Sequence, residues 1–337
     1  LRDLDGEVVK TIPDILSHYV RRAAKNKATK GAMDDLPRFS KFLKTLPVKQ
    51  EKFASFFDED SNLRLDLFDQ LWSCKDDTKS PGAPLYFVAP TNKSLESQKA
   101  EIYDVVNDRV AKIMALGQSL HERKMIGVPA TEEERSLLIT NGIMDVMAVG
   151  LKNEARPLGK MPRLITLTSV VDNLVTRIGY HNLLQEINNS PEKYMVASLD
   201  IVTQTKTKER FDVLKSRGKQ TGNDVQGWEY SMNETDQWAA MYADAYMLGL
   251  IDSKLNVLPR ASPSYFYFLV GYTYTLINRS TLLDNGQIVL LPAGIMPSGV
   301  LITFERNSIS RANLSDNVST DNFQKPVEHC MTAGDDC

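Results

Sequence analysis

Between about residues 94 and 124, apolar side chains return at Ile102, Val105, Val106, Val110, Ile113, Met114 and Leu120. Steps of three and four lay them along one stripe, so the spacing predicts a long helix with a buried face. A second helix is predicted from Thr131, because Glu134 three residues on completes a capping box. Val170, Val171, Leu174, Val175 and Ile178 predict a third helix, and Trp238, Met241, Tyr242 and Ala245 a fourth. Elsewhere the texture changes. Asn223 to Tyr230 reads as a strand end passing into a turn, and Leu290 to Pro297 as a strand and loop. Gly299 to about Ala312 reads as a helix, and Val327 to Ala333 as a strand running into Gly334. Ser80-Pro81-Gly82-Ala83-Pro84 predicts a loop, since proline fixes φ and glycine permits a sharp reversal. The longest apolar run, Tyr265 to Leu276, is broken by Gly, Thr and Tyr and is too short to span a bilayer.

With 337 residues, two or so domains are expected. Hydrophobic residues at 42% and charged residues at 25% exclude a collagen-like, disordered or multi-spanning chain. Forty Lys and Arg against 43 Asp and Glu leave a formal charge of −3, so any surface for nucleic acid must be local. Arg21, Arg22, Lys25, Lys27 and Lys30 form a basic run, followed by Arg38, Lys41, Lys44, Lys49 and Lys52 among Phe39, Phe42 and Phe53. That run reads either as a solvated face, the commoner meaning, or as a phosphate contact. Three scattered cysteines and four histidines without ligand spacing give no disulfide framework or zinc site, and fit a reducing compartment. The chain starts at Leu1 and stops at Cys337, directly after Gly334-Asp335-Asp336, and is expected to be a piece of a longer protein.

Three distant segments make joint chemical sense. Asp224 is followed by Glu229. Ser298-Gly299 precedes Thr303 and Asn307, which helical spacing puts on one face, offering a hydroxyl and an amide to one ligand such as a ribose. Gly334-Asp335-Asp336 ends an apolar segment and displays two adjacent carboxylates, which repel unless a cation binds them. With Asp224, they suit two divalent ions of the kind that stabilise attacking and leaving oxygens in phosphoryl transfer. Hard oxygen donors point to Mg²⁺, or Mn²⁺ in its place.

In that combination the sequence resembles the RNA-dependent RNA polymerases of positive-strand RNA viruses, in the group of sobemoviruses, poleroviruses and barnaviruses. Asp224-x4-Glu229 resembles palm motif A, Ser298-Gly299-x3-Thr303-x3-Asn307-Ser308 motif B, and Gly334-Asp335-Asp336 motif C. Lys152, Glu154, Lys160 and Arg163-Leu164-Ile165 resemble fingers motif F. Asn141-Gly142-Ile143-Met144-Asp145 also looks like this group, and Ser80 to Pro84 resembles the template-side motif G.

The resemblance implies an α+β right-hand fold. Residues 1–79 would be an N-terminal extension or fingers, 80–215 fingers, and 216–337 palm with a fingers insertion at about 250–290 and an antiparallel sheet. The thumb is missing, so this chain is expected to be inactive by itself. Asp224 and Asp335, assisted by Asp336, would hold the metals; Lys152, Lys160 and Arg163 would neutralise a triphosphate. Asn307, Thr303 and Glu229 would sense the ribose, and Ser298 and Gly299 would form a mobile loop. Glu229 stands where the family usually has Asp, one methylene longer. The implied partners are template and product RNA, nucleoside triphosphates and other viral replicase proteins. The implied place is the host cytoplasm on membrane-associated replication complexes, with no anchor visible in this sequence. A reverse transcriptase and a non-catalytic RNA-binding replicase piece are the alternative readings. Ala333 stands where reverse transcriptases usually carry an aromatic residue, which argues against the first.

Overall fold

A computed structural model describes residues 11–25, 33–48, 64–155, 162–189, 212, 215–216, 228–259 and 261–323. In chain order the helices discussed below are α1 (Ile12–Lys25), α2 (Leu36–Leu43), α3 (Leu65–Ser73), α4 (Lys99–Glu122), α5 (Glu132–Thr140), α6 (Val170–Asn189), α7 (Glu234–Met247), α8 (Pro263–Ile277) and α9 (Thr303–Phe323). The strands are β1 (Met147–Leu151), β2 (Leu164–Leu167), β3 (Ser280–Leu282) and β4 (Ile288–Leu290).

The main core forms around the crossing of α4 and α8. Gly117 and Gly271 let the two backbones touch. A β-carbon on Gly117 would overlap the Tyr267 carbonyl, and one on Gly271 the Ile113 carbonyl. The stripe expected on α4 is buried at Ile102, Val106, Val110, Ile113, Met114 and Leu120, but Val105 is 46% exposed, one position off it. The expected start of that helix is also corrected: Asn92–Gln98 form a 3₁₀ turn before α4. The apolar run at 265–276 lies inside α8, which Ser262 caps and which is buried almost all round by α4, α6 and α7. Among the described residues no helix is long and apolar enough to cross a membrane. Capping boxes start α5, Thr131 with Glu134 as expected, and α7, Asn233 with Asp236.

The sheet runs β2-β1-β3-β4. β1 pairs antiparallel with β2, and β3 with β4, but β1 and β3 run parallel, Met147 opposite Thr281. A parallel pair needs a crossover connection, here the whole segment 152–279. Arg163 directly precedes β2 of this mixed sheet; an antiparallel sheet was expected at motifs A and C. The residues expected to form those strands lie outside the described residues; Trp228–Tyr230, at the end of the first, form a 3₁₀ turn, where a turn was expected.

Buried charge ties helices to sheet. Arg109 on α4 donates to both oxygens of Asp145, at 2.8 and 2.9 Å, and to Asp172 on α6 at 2.6 Å. Arg279, just before β3, donates to the other Asp172 oxygen. Burial pushes the Asp172 carboxyl up, but Arg279 and Arg109 outweigh it and hold it below the usual carboxylate range. Asp145, read from the sequence as a feature of the polymerase group, thus forms part of an ionic keystone. On the sheet's other face lies α1, whose Ile15, Leu16 and Tyr19 share a small second core with Met147, Leu164, Leu283 and Leu291.

Candidate functional site

Strand β2 grips two loops. The Thr166 N–H donates to Ser298 Oγ at 3.3 Å, and the Gly299 N–H donates to Thr166 Oγ1 at 3.1 Å. The Thr168 hydroxyl donates to the Gly299 carbonyl at 3.0 Å. Both backbone polar groups of Gly299 are therefore held, one by Thr166 on β2 and one by Thr168 directly after it. A β-carbon at Gly299 would collide with the Thr166 carbonyl, so only glycine fits this approach. On the other side, Gly82 at φ +72° presses on the Thr168 carbonyl, and the Val170 N–H donates to Pro81 O at 2.7 Å. The 80–84 loop is present as expected, and three segments far apart in sequence become one layered unit.

Cations sit at the open end of the β1–β2 pair. The Lys152 N–H donates to the Arg163 carbonyl at 2.9 Å, extending the β1–β2 ladder. Their side chains, 45% and 46% exposed, share Glu154 at 3.1 and 3.9 Å. Among the described residues, two half-exposed cations against one carboxylate make this end positive and accessible.

Helix α9 starts at Thr303, four residues later than expected, and runs to Phe323, because its polar second half continues the helix without an apolar stripe to announce it. The Thr303 hydroxyl donates to the Pro297 and Val300 carbonyls at 2.5 and 2.7 Å, fastening the helix to the loop. One turn on, Asn307 is buried, and its Oδ1 finds no hydrogen-bond donor among the described residues. A buried amide oxygen left without a donor is costly, which points to a ligand or another part of the chain as its partner.

Beneath this face α9 is anchored by charge. Arg306 is wholly buried; it donates to the Gln237 carbonyl at 2.8 Å, to Thr273 Oγ1 at 3.1 Å and to the Tyr180 hydroxyl, and pairs with Asp244 at 3.0 Å. Glu305 lies beside it, its Oε2 3.9 Å from Arg306 Nε. Burial and the neighbouring Asp244 push the Glu305 carboxyl well above its ordinary range.

Of the residues singled out from the sequence, Lys152, Arg163, Ser298, Gly299, Thr303 and Asn307 are described, and Ser298 and Gly299 meet the Arg163-bearing strand directly. Asp224, Lys160, Asp335 and Asp336 lie outside the described residues, as does the Glu229 side chain. Thr166, Thr168 and Arg306 were missed. The alternation Thr166-x-Thr168 directly after Arg163 was the available signal, being two hydroxyls on one side of a strand.

The chain is thus a mixed α+β protein with a glycine-dependent loop locked to a cation-bearing strand. Over 268 residues it is 26% identical to the "Replicase polyprotein P2AB" of Southern cowpea mosaic virus, a match covering 76% of this chain and 25% of that protein. It is 25% identical over 268 residues to the protein of the same name from Southern bean mosaic virus (isolate Bean/United States/Arkansas), with the same coverage. Both relatives are sobemovirus replicase polyproteins, and the similarity agrees with the resemblance carried by the motifs. The chain spans about a quarter of the length of these relatives. No protein-family model matches it.

Proposed function

We propose that this chain supplies the nucleotide-selecting face and the metal-binding carboxylates of a viral RNA-directed RNA polymerase of right-hand fold, copying viral RNA in the host cytoplasm. The observation that carries this reading is the lock of Ser298 and Gly299 onto Thr166 and Thr168 beside Arg163 and Lys152. It sets the loop before the Thr303–Asn307 face against the strand that bears the cations. Similarity to two replicase polyproteins supports the same reading.

In this reading Arg163, Lys152 and Lys160 bind the triphosphate of an incoming nucleotide. Asn307, with Thr303 and Glu229, meets the ribose hydroxyls, and the Asn307 Oδ1 accepts from one of them. The O3′ of the growing RNA bonds to the α-phosphorus, the bond from that phosphorus to the bridging oxygen breaks, and pyrophosphate leaves. The 3′-hydroxyl proton is lost and the leaving group gains one. Positioning and fixed charge carry most of the catalysis. The donor set of Asp224, Asp335 and Asp336 is all hard carboxylate oxygen, which fits Mg²⁺ or Mn²⁺. Such ions supply charge neutralisation at the reacting oxygens.

The test is RNA-primed extension by the complete polymerase containing this chain, comparing wild type with Asp335→Ala. Loss of nucleotide addition with RNA binding retained supports the proposal. An unchanged Asp335→Ala variant overturns it in favour of a non-catalytic RNA-binding role. Preference for ribonucleotides over deoxyribonucleotides separates it from a reverse transcriptase.

A further inference from the structure

Helix α1 has no place in the reading given so far. Ile15, Leu16 and Tyr19 form the apolar face with which it covers the sheet. Tyr19 does two things that a core filler would not need to do together. Its hydroxyl donates to the Pro162 carbonyl at 2.8 Å, on the peptide immediately before Arg163. Its ring stacks on Tyr230, with centroids 4.3 Å apart and planes 8° from parallel, on the residue immediately after Glu229. Trp228, at the other end of that short turn, is buried, so the turn is held from both sides. One side chain, 9% exposed, therefore touches the backbone beside the candidate triphosphate cation and the ring beside the candidate ribose-sensing acid.

We propose that Tyr19 is a positioning residue: it couples the strand end carrying Arg163 to the turn carrying Glu229, and so sets the spacing between triphosphate and ribose contacts. The inference rests on the polymerase reading for its functional consequence, but not for the coupling itself. The two contacts divide the work. The hydroxyl fixes the Pro162–Arg163 peptide, and the ring fixes the 228–230 turn. An offset or parallel ring pair is geometry-specific, so it resists sliding in a way that a generic apolar contact does not.

The experiment uses the complete polymerase with Tyr19→Phe, which keeps the stack and removes the hydroxyl, and Tyr19→Leu, which removes both. Hydrogen exchange is read at 163–167 and 231–233, and KM and kcat for nucleotide are read in primer extension. For Tyr19→Phe, exchange at 163–167 is expected to quicken and KM to rise about five-fold, the effect of one neutral hydrogen bond, while kcat and the melting temperature hold. For Tyr19→Leu, exchange at 231–233 quickens too and kcat falls. Unchanged exchange in both segments overturns the coupling. An unchanged KM in Tyr19→Phe, or KM and kcat failing together with the melting temperature, overturns the positioning role. If the wild type adds no nucleotides, the polymerase reading falls, and the exchange data alone decide whether Tyr19 couples the two segments.

Discussion

Gly299 has its N–H and its carbonyl held by Thr166 and Thr168, and the Thr166 carbonyl occupies the space that any side chain at 299 would need. Gly299→Ala must therefore push the loop off β2 and release all three hydrogen bonds. The loop is at the surface and can yield outward, so the cost to the fold is that of modest overpacking, about 1–3 kcal/mol. Nucleotide addition is expected to fall about a hundred-fold, because displacement by an ångström is enough for that. Thermal melts run beside primer extension check both halves; full activity in Gly299→Ala would refute the role of the lock.

Asn307 presents the opposite case, a buried amide oxygen with no donor among the described residues. Replacing it costs the fold little if its partner is a ligand. Asn307→Leu is expected to change stability by less than about 1 kcal/mol, while the preference for ribonucleotides over deoxyribonucleotides drops about ten-fold or more. The ratio of kcat/KM values for the two nucleotides measures this. A stability loss of about 3 kcal/mol with the ratio intact would assign Asn307 to the scaffold instead.

Asp172 holds two buried guanidiniums, and Asp172→Ala leaves the Arg279 charge stranded. The expected loss is about 3–5 kcal/mol at neutral pH, read by urea unfolding. The carboxyl is held below its ordinary range, so its contribution is complete above the unfolded pKa of about 4 and disappears as pH falls through the lower folded value. The gap between wild type and variant should accordingly close in acid. A gap that stays constant down to the lowest pH at which the protein folds would contradict the keystone.

Glu305 has the reverse sign. Burial and Asp244 raise its carboxyl, so its contribution is whole below the unfolded pKa and is lost as pH rises toward the folded value. Stability should decline with pH above about 4.5, at up to about 1.4 kcal/mol per unit for this one proton. Glu305→Gln keeps the shape and abolishes that slope. Unfolding curves taken from pH 5 to 8 decide the matter: parallel pH profiles for the two proteins would mean that the Glu305 carboxyl is not raised.

Much of the helical framework was legible because it is written locally. The Thr131–Glu134 box and the apolar stripe of α4 need only a few residues of context, and both stand in the structure. Val105 was misplaced because a branched apolar residue beside a stripe looks like part of it. Strands β1, β2 and β3 escaped notice, being three to five residues long and without clean alternation, and β4 ends at Leu290, where the expected strand was placed to begin. At the candidate site, residue types were readable and the contacts were not. Ser298 and Gly299 announce a loop, but nothing nearby in sequence says that a strand more than 130 residues earlier grips it. Arg306 was passed over because a charge between Thr303 and Asn307 looks solvated, whereas three other segments supply its partners.

The parallel pairing of β1 with β3, and the crossing of α4 with α8 beside it, set a schedule for synthesis. When α4 leaves the ribosome, the glycine surface it needs has not been translated, and of the groups in the Arg109–Asp145–Asp172–Arg279 cluster the second arginine comes last. About 150 more residues must emerge first, a wait of roughly 8 to 30 s at ordinary elongation rates. Through that interval the apolar stripe of the nascent chain lacks the α8 surface that closes over it, so its early life depends on what shields that side until α8 arrives.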